Sequence, residues 1–196
     1  KQVKSHIPFH IPDLINKAIK LGGDRKKLEQ SVSIAENFFN ATKKLHRLSN
    51  EWPIYMTAAM IMRHAGQCIS SSQYEKHSAY IAENIDLYSA EPWENYMVAE
   101  LCRHHNNIKP EIDDLPFNEK PMNQIFLKLL SLLKIADAID SGNATNVKFR
   151  KIKITKGHVH IHVSGKSING LEILRVEQRQ PLFIKIFKKL PVLVVD

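Results

Sequence analysis

Residues 123–140, NQIFLKLLSLLKIADAID, form the segment around which the rest of the chain has to pack. Apolar residues recur three and four positions apart, which is the spacing of an α-helix, and they cover more than one side of that helix. A helix that is apolar nearly all round is buried in a protein interior. We therefore expect a central helix that is packed on several sides and ends at Gly142.

The residues before this segment also have helical spacing. From Ile11 to about Ser141, apolar residues recur three or four apart in LINKAIKL, LEQSVSIAENFFNATKKLHRL and WPIYMTAAMIMRHA. Helix-breaking or turn-forming residues separate these stretches at GG (22–23), SNEWP (49–53), SAEPW (89–93) and DDLPFNEKP (113–121). The first part of the chain is predicted to be all α, with Ser49 or Asn50 as the N-cap of the helix that contains Pro53.

After SGNATN the apolar spacing changes from helical to alternating. The stretch VKFRKIKITKGHVHIHVSG alternates apolar and polar residues on both sides of KG (156–157), which predicts a β-hairpin. In its second strand the inward-facing residues are expected to be Val159, Ile161 and Val163, and the opposite face would carry His158, His160 and His162. Three histidines in this arrangement can chelate a metal, but no carboxylate or thiol accompanies them, which favours a solvated face.

The last part of the chain contains three further segments. LEILRV is a candidate extra strand, a helix is expected over roughly residues 177–189, and PVLVV has the composition of a buried strand. These segments and the hairpin predict a small ββαβ-type α+β unit. The predicted fold class is mainly α, with a multi-helix part followed by this smaller α+β part.

The chain is basic, with 28 Lys and Arg against 20 Asp and Glu, a net charge of +8 and a pI near 9.4. This charge is typical either of a partner of polyanions, such as nucleic acid, nucleotides or polyphosphate, or of a solvated basic face. The basic runs lack the alternating aromatic residues of a base-stacking platform, so sequence-specific DNA binding is not expected. The candidate anion-binding residues are Arg25, Lys26, Lys27, Lys148, Arg150, Lys151 and Lys153.

Length, hydropathy and cysteine content limit the class of protein. A chain of 196 residues with 43% hydrophobic content can bury a core of its own. No apolar run approaches the ~18 residues of a membrane span, and the opening residues lack the apolar core of a signal peptide. We therefore expect a cytoplasmic protein with no membrane partner. Cys68 and Cys102 are predicted to be buried thiols, not a disulfide.

One stretch, RHAGQCISSSQYEKHSAYIAEN (63–84), is similar to the motif of HD-type metal-dependent phosphohydrolases, with Ala65 in place of the aspartate. More broadly, the chain resembles the C-terminal region of the exopolyphosphatase and guanosine pentaphosphate phosphohydrolase family. The matching segments, in the family's order and spacing, are AAMIMRHAGQCIS (58–70), YEKHSAYIAEN (74–84), CRHHN (102–106), LLKIADAID (132–140) and LEILRVEQ…IFKKLPVLVV. The resemblance implies a degenerate HD-like helical domain over residues 1–145 and a small α+β domain over 146–196.

The same resemblance identifies a remnant of the HD site. The positions that correspond to the HD ligands are Lys27, His64 with Ala65, His77, His105 and Asp137. An ammonium at Lys27 and a methyl group at Ala65 replace a neutral ligand and an anion. Either His64, His77, His105 and Asp137 still hold Zn²⁺, or they form a buried hydrogen-bonded cluster in which Asp137 fixes one imidazole tautomer. The two losses favour the cluster, with no metal or other cofactor, and Arg103, His104 and Asp140 are expected at its rim.

The implied function follows from what the resemblance covers. In this family phosphatase chemistry belongs to N-terminal actin-like ATPase-fold domains, and this chain has no glycine-rich phosphate loop among its seven glycines. We therefore expect no catalytic residues and a noncatalytic module that binds polyphosphate or a phosphorylated nucleotide. It would be either a separately encoded module with a catalytic domain acting in trans or a part of a longer enzyme. The alternatives are a residual metal-dependent HD-type phosphohydrolase, or a dimerisation or docking module, because the family's members tend to form homodimers.

Overall fold

A computed structural model describes residues 6–85, 89–109, 111–140, 145–166, 168 and 170–196, except for the side chains of residues 145, 146 and 166. The helical part of the chain contains seven α-helices in the described residues. Their bounds are α1 Ile11–Lys20, α2 Arg25–Ala41, α3 Lys43–His46, α4 Pro53–Met62, α5 Tyr74–Asn84, α6 Pro92–His104 and α7 Lys120–Asp140. A short 3₁₀ turn, Ala65–Cys68, lies between α4 and α5.

Local side-chain chemistry sets several of the helix starts. The Asp24 side chain caps α2 by accepting a hydrogen bond from the Lys27 backbone N–H at 2.9 Å. Helix α6 begins with a capping box formed by Glu91 and Glu94 around Pro92. The expected caps of α4 are wrong, because its N-cap is Trp52, with Pro53 as the first helical residue and no side-chain cap bond. There the rigid φ of proline starts the helix without a polar cap.

Helix α7 is the centre of the molecule, as its sequence predicts. Every residue from Leu129 to Asp140 is buried, and α7 packs against α2, α4, α6 and α8. The expected end at Gly142 lies outside the described residues. Because α7 is covered on several sides, polar groups near its C-terminal end have to find their partners inside the protein.

The hairpin is present with the predicted inward and outward faces. Strand β1, Thr145–Ile154, pairs antiparallel with β2, His158–Lys166, and β2 pairs in parallel with β3, Leu190–Val195. Val159, Ile161 and Val163 are fully buried, whereas His158 is exposed, His160 is partly exposed and the His162 side chain is 15% exposed. The buried face lies against the helices, which leaves the histidine face of the sheet outward.

Helix α8, Gly170–Phe187, corrects one sequence-based expectation. LEILRV forms the first turns of this helix and not a strand, and the helix starts well before residue 177. Its buried residues Glu172, Val176 and Phe183 are four and seven positions apart, so they lie on one helical face. The β-branched and aliphatic composition of LEILRV was the misleading signal, and packing of this face on α7 and β3 overrides it.

The protein is thus mainly α-helical with a small three-stranded sheet, as predicted. Packing crosses the predicted boundary between residues 145 and 146, because α8 lies on α7 and β1 lies on α2. The division into two domains stays a prediction. Among the described residues, no helix combines the length and apolar character needed to cross a membrane.

Candidate functional site

Three of the four predicted remnant residues lie close together near the C-terminal end of α4. His64 follows α4, His105 follows α6 and Asp137 lies on α7, and one ligand atom from each lies within 4.8 Å of the others. His77, on α5, is not part of this group, and its Cβ instead lies beside Gly66 in the 3₁₀ turn. In the described part of the chain the cluster therefore offers two imidazoles and one carboxylate.

A buried arginine, which the sequence analysis did not identify, organises the cluster. Arg63 Nε donates to Asp137 Oδ1 at 2.7 Å, and its terminal nitrogen Nη2 donates to Asp140 Oδ2 at 2.5 Å. The Arg63 side chain is 3% exposed. A guanidinium that bridges two buried carboxylates supplies the positive charge that a metal ion would otherwise bring. The sequence feature that could have identified Arg63 is its position as a charged residue directly after the apolar run MTAAMIM.

Asp140 is a second centre of this network. It is fully buried, not at a rim, and accepts hydrogen bonds from Ser31 Oγ at 2.5 Å and Gln30 Nε2 at 3.0 Å. Lys27 Nζ lies 3.2 Å from Asp140 Oδ1 and donates to the Asp140 carbonyl at 2.5 Å. Lys27, which the sequence predicts to stand at the position of the first HD histidine, thus pairs with Asp140 and ties α2 to the end of α7.

The other two residues expected at the rim face elsewhere. Arg103 Nε lies 2.8 Å from Glu100 Oε1, and His104 Nε2 lies 3.3 Å from Glu100 Oε2. All three residues belong to α6, with spacings of three and four that place their side chains on one helical surface. They form a local charge cluster on that helix, separate from the contacts of Asp137.

A second arginine reaches the cluster from α8. Arg179 Nη1 lies 3.6 Å from Asp137 Oδ2 and donates to the His105 carbonyl, and Nη2 donates to Asn106 Oδ1 at 2.5 Å. Arg179 lies between Val176 and Phe183 on the buried face of its helix. Since the periodicity of α8 was misassigned from the sequence, this residue was missed as well.

The expectation that Asp137 holds an imidazole in one tautomer is wrong. His105 Nδ1 donates to the Cys102 carbonyl at 2.6 Å, which leaves Nε2 to accept from Tyr74 Oη at 3.4 Å. His64 Nε2 lies 4.0 Å from Asp137 Oδ1, beyond hydrogen-bond distance. Asp137 is committed to the two arginines, because a guanidinium makes a stronger charge-assisted bond to carboxylate than a neutral imidazole does.

The electrostatics of the site follow from this arrangement. Burial opposes ionisation of Asp137, but Arg63, with smaller effects of His105, His64 and Arg179, holds the pKa of this carboxyl below its usual range. Burial lowers the pKa of His105, and burial together with the neighbouring Arg63 lowers the pKa of His64. At neutral pH the imidazoles are therefore neutral and the carboxylates ionised.

The residues present do not fit a hydrolytic divalent metal. Asp137, the carboxylate in the cluster, already accepts from Arg63 and faces Arg179, so an added cation would meet two guanidinium groups. Ala65 offers no ligand atom where the HD motif has aspartate, and His77 lies outside the cluster. A metal that activates water needs ligands free to bind it and an open coordination position.

A cleft of about 550 Å³ opens beside the remnant site. Lys27, His64 and Ala65 line it together with the loop before α2 and the 3₁₀ turn. Cys68 also lines this cleft and is exposed, so the expectation of two buried thiols is wrong for Cys68 and confirmed for Cys102. Both cysteines are free.

The predicted anion-binding residues fall into two groups. Arg25 and Lys26 are exposed at the start of α2, where Arg25 donates to Asn16 Oδ1 at 2.8 Å, whereas Lys27 is drawn into the pairing with Asp140. The second group is exposed along β1 and comprises Lys148, Arg150, Lys151 and Lys153.

A β-bulge shapes the group on β1. Phe149 pairs with Val163 and Lys151 with His162, so Arg150 is the extra residue between them. Arg150 donates to the Oγ of Ser164, the residue that pairs with Lys148, which places both basic residues on the outer face of the sheet. The bulge allows consecutive Arg150 and Lys151 to be exposed while Phe149 and Ile152 both remain turned toward the core.

The comparison with family models covers most of the chain. A family model described as "Ppx/GppA phosphatase, domain III" matches residues 19–172, which include α2 to α7 and the β-hairpin. No curated protein sequence matches the chain. The matched range contains all of the remnant-site residues and both basic groups.

Proposed function

Because the chain belongs to the Ppx/GppA phosphatase family through its domain III, we propose that it is a noncatalytic module that binds polyphosphate or a phosphorylated nucleotide. In this function the HD-like site carries out no hydrolysis, and the outer face of the sheet binds polyanions. A catalytic domain that acts with this module would supply any phosphatase reaction.

The noncatalytic part is supported by Arg63. Its guanidinium lies against Asp137 at 2.7 Å and Asp140 at 2.5 Å, so the two buried carboxylates are neutralised by protein. Hydrolysis at an HD site depends on metal-activated water. With Arg63 and Arg179 beside Asp137, the site serves the fold as a buried ion-pair network.

The observation that carries the binding part is the basic outer face of β1. Four cationic side chains are exposed over six residues of this strand: Lys148, Arg150, Lys151 and Lys153. Alternate residues of a strand are roughly 6–7 Å apart. Neighbouring phosphates of polyphosphate share one bridging oxygen and lie closer together than this, so side chains at this spacing can contact alternate phosphates of one extended chain. Asp196 is a carboxylate close enough to interact electrostatically with Lys151 and Arg150.

A titration of the intact chain with long-chain polyphosphate at low salt tests the proposal. The test variant replaces Lys148, Lys151 and Lys153 with alanine. The control variant replaces Lys44, Lys76 and Lys120, which are exposed lysines of the helical part, and so removes the same charge. We expect the test variant to lose at least about ten-fold in affinity and the control to lose much less, since local contacts add to overall attraction.

The titration is repeated with a second ligand and, where needed, on a variant of a second surface. Single-stranded nucleic acid of equal charge should bind more weakly than polyphosphate, because the face has no aromatic platform for bases. If the β1 variant binds like wild type, the same titration on Arg25→Ala with Lys26→Ala shows whether the start of α2 carries the ligand. No binding of any polyanion at low salt would favour the docking or homodimer function instead.

The second candidate is a residual metal-dependent phosphohydrolase. The observation in its favour is the convergence of His64, His105 and Asp137 within 4.8 Å. We expect Zn, Mn and Fe well below one ion per chain by elemental analysis, and no phosphomonoesterase or phosphodiesterase activity. Stoichiometric metal together with phosphoesterase activity, both lost in His64→Ala, would favour the second candidate over the first.

A further inference from the structure

Histidines and lysines share the outer face of the sheet in register. His162 pairs across the β1–β2 ladder with Lys151, and His160 pairs with Lys153. Directly opposite residues of antiparallel strands point to the same face, with Cβ atoms about 5 Å apart. His158 continues the row, with its ring stacked on that of His160 at a centroid distance of 5.6 Å. A row of three imidazoles therefore runs beside the basic row of β1.

The groups around the imidazole row come from both neighbouring strands. On the β3 side, Leu190, Val192 and Val194 pair with the three histidines and bring no charge. Asp196, just beyond β3, lies with Oδ1 3.0 Å from His162 Nδ1. On the β1 side stand the four basic residues of the proposed polyanion surface. Near the hairpin turn, Lys189 Nζ donates to the carbonyls of Thr155 and Lys156.

We propose that this face is a proton-dependent polyanion surface, on which His158, His160 and His162 become cationic and extend the lysine row, so that polyphosphate binds more tightly as the pH falls. The inference rests on the proposed function and adds its regulation. Histidine is the side chain whose charge ordinarily changes between about pH 5 and pH 8. Protonation would raise the number of cationic side chains on the face from four to seven.

Thermodynamic linkage fixes the sign of the effect. A polyanion stabilises the imidazolium form, so binding takes up protons, and lower pH favours binding in return. Each proton taken up adds about one log unit of affinity per pH unit. The interior phosphates of a long polyphosphate remain ionised throughout this range, so the change in charge belongs to the protein. Asp196 competes with the ligand for His162, which limits the effect at that residue.

The test is isothermal titration calorimetry of the intact chain with long polyphosphate at about pH 6 and about pH 8, each in two buffers of different ionisation enthalpy. Buffer-dependent heat measures proton uptake directly. We expect wild-type affinity to be at least about ten-fold higher at the lower pH. A His158→Asn, His160→Asn, His162→Asn variant should lose most of this difference, and Asp196→Asn should bind more tightly. The control is His10→Asn, an exposed histidine of the α1 N-terminus, which should behave like wild type.

Each failure has a distinct meaning. Polyphosphate binding with equal affinity at both pH values, or a full pH effect retained in the histidine variant, overturns the proton-dependent surface and leaves the polyanion-binding function intact. No binding at either pH overturns the proposed function as well. Far-UV circular dichroism at both pH values checks that the compared states are folded.

Discussion

At the scale of single residues, Arg63 is a counter-charge of both buried aspartates, Asp137 and Asp140. We expect Arg63→Met to lower the free energy of unfolding by about 3–5 kcal/mol, because Asp137 and Asp140 would remain buried without their main partner. Urea unfolding measures this change. The matched control is Arg103→Met, which removes a partly exposed pair with Glu100 and should cost less than about 1 kcal/mol.

Two results would contradict this role of Arg63. One is an Arg63→Met variant no less stable than Arg103→Met. The other concerns an Arg63→Met variant that fails to fold. In that case, adding Asp137→Asn and Asp140→Asn should restore folding at least in part, because these substitutions remove the unpaired charges. If the triple variant is no better than the single one, unpaired charge is not the cause.

Buried histidines make the fold sensitive to acid. Burial lowers the pKa of His46 and His105, and neutral His46 donates from Nε2 to the Phe39 carbonyl while Nδ1 accepts from Leu48 N–H. The unfolded chain therefore binds more protons below about pH 6.5 than the folded chain does, and stability falls as the pH falls. The expected loss is at most about 1.4 kcal/mol per pH unit for each such histidine, over the interval between its unfolded and its lowered folded pKa.

Urea unfolding at several values between about pH 7 and about pH 5 checks this dependence, and His46→Gln should reduce its slope by one histidine's share. The aspartates of the network act in the same direction at lower pH. Their lowered pKa values mean that their contribution is lost only below the ordinary carboxyl range. A stability that is flat, or that rises toward pH 5, would contradict the prediction.

At the scale of elements, the 3₁₀ turn Ala65–Cys68 is locked to α5 through Gly66. A Cβ on Gly66 would collide with the backbone of Tyr74 and Ser78. In addition, Ser78 Oγ links the turn to α4, because it accepts a hydrogen bond from Gly66 N–H at 2.8 Å and donates one to the Arg63 carbonyl at 2.8 Å. We expect Gly66→Ala to cost about 3 kcal/mol or more, since backbone must move.

Gly170→Ala is the control for this substitution in thermal or urea unfolding. Gly170 begins α8 and has nothing within 4 Å of an added Cβ, so its replacement should change stability by less than about 1 kcal/mol. Equal effects of the two substitutions would show that the contact between the turn and α5 is loose. The same contact places His77 against the turn and away from the remnant cluster.

At the scale of the whole molecule, the net charge of +8 and the exposed row on β1 predict how salt acts on ligand binding. By analogy with single-stranded nucleic acid, each phosphate contact contributes about −0.7 to the slope of log K against log salt. Four contacts predict a slope of about −3, and the Lys148, Lys151, Lys153 triple alanine variant should be shallower by about 2. A slope that the triple variant leaves unchanged would place the ligand elsewhere.

Local pattern alone predicts much of the architecture. The apolar spacing of α7 and the alternation of β2 identify a buried helix and an inward and outward strand face, because both depend on which side of one element meets the core. The extent of α8 was not predictable in this way. LEILRV is compatible with strand or helix by composition, and its packing against α7 selects the helix.

The sequence by itself determined the fold class and the buried central helix. Through resemblance to a family it also predicted that His64, His105 and Asp137 belong to one site. Only the tertiary structure decided what holds that site together. Arg63 meets Asp137 and Asp140 across 74 and 77 residues of chain, and Arg179 arrives from another helix. Such pairs depend on how helices pack against one another, and burial then makes charge pairing obligatory, which no local spacing records.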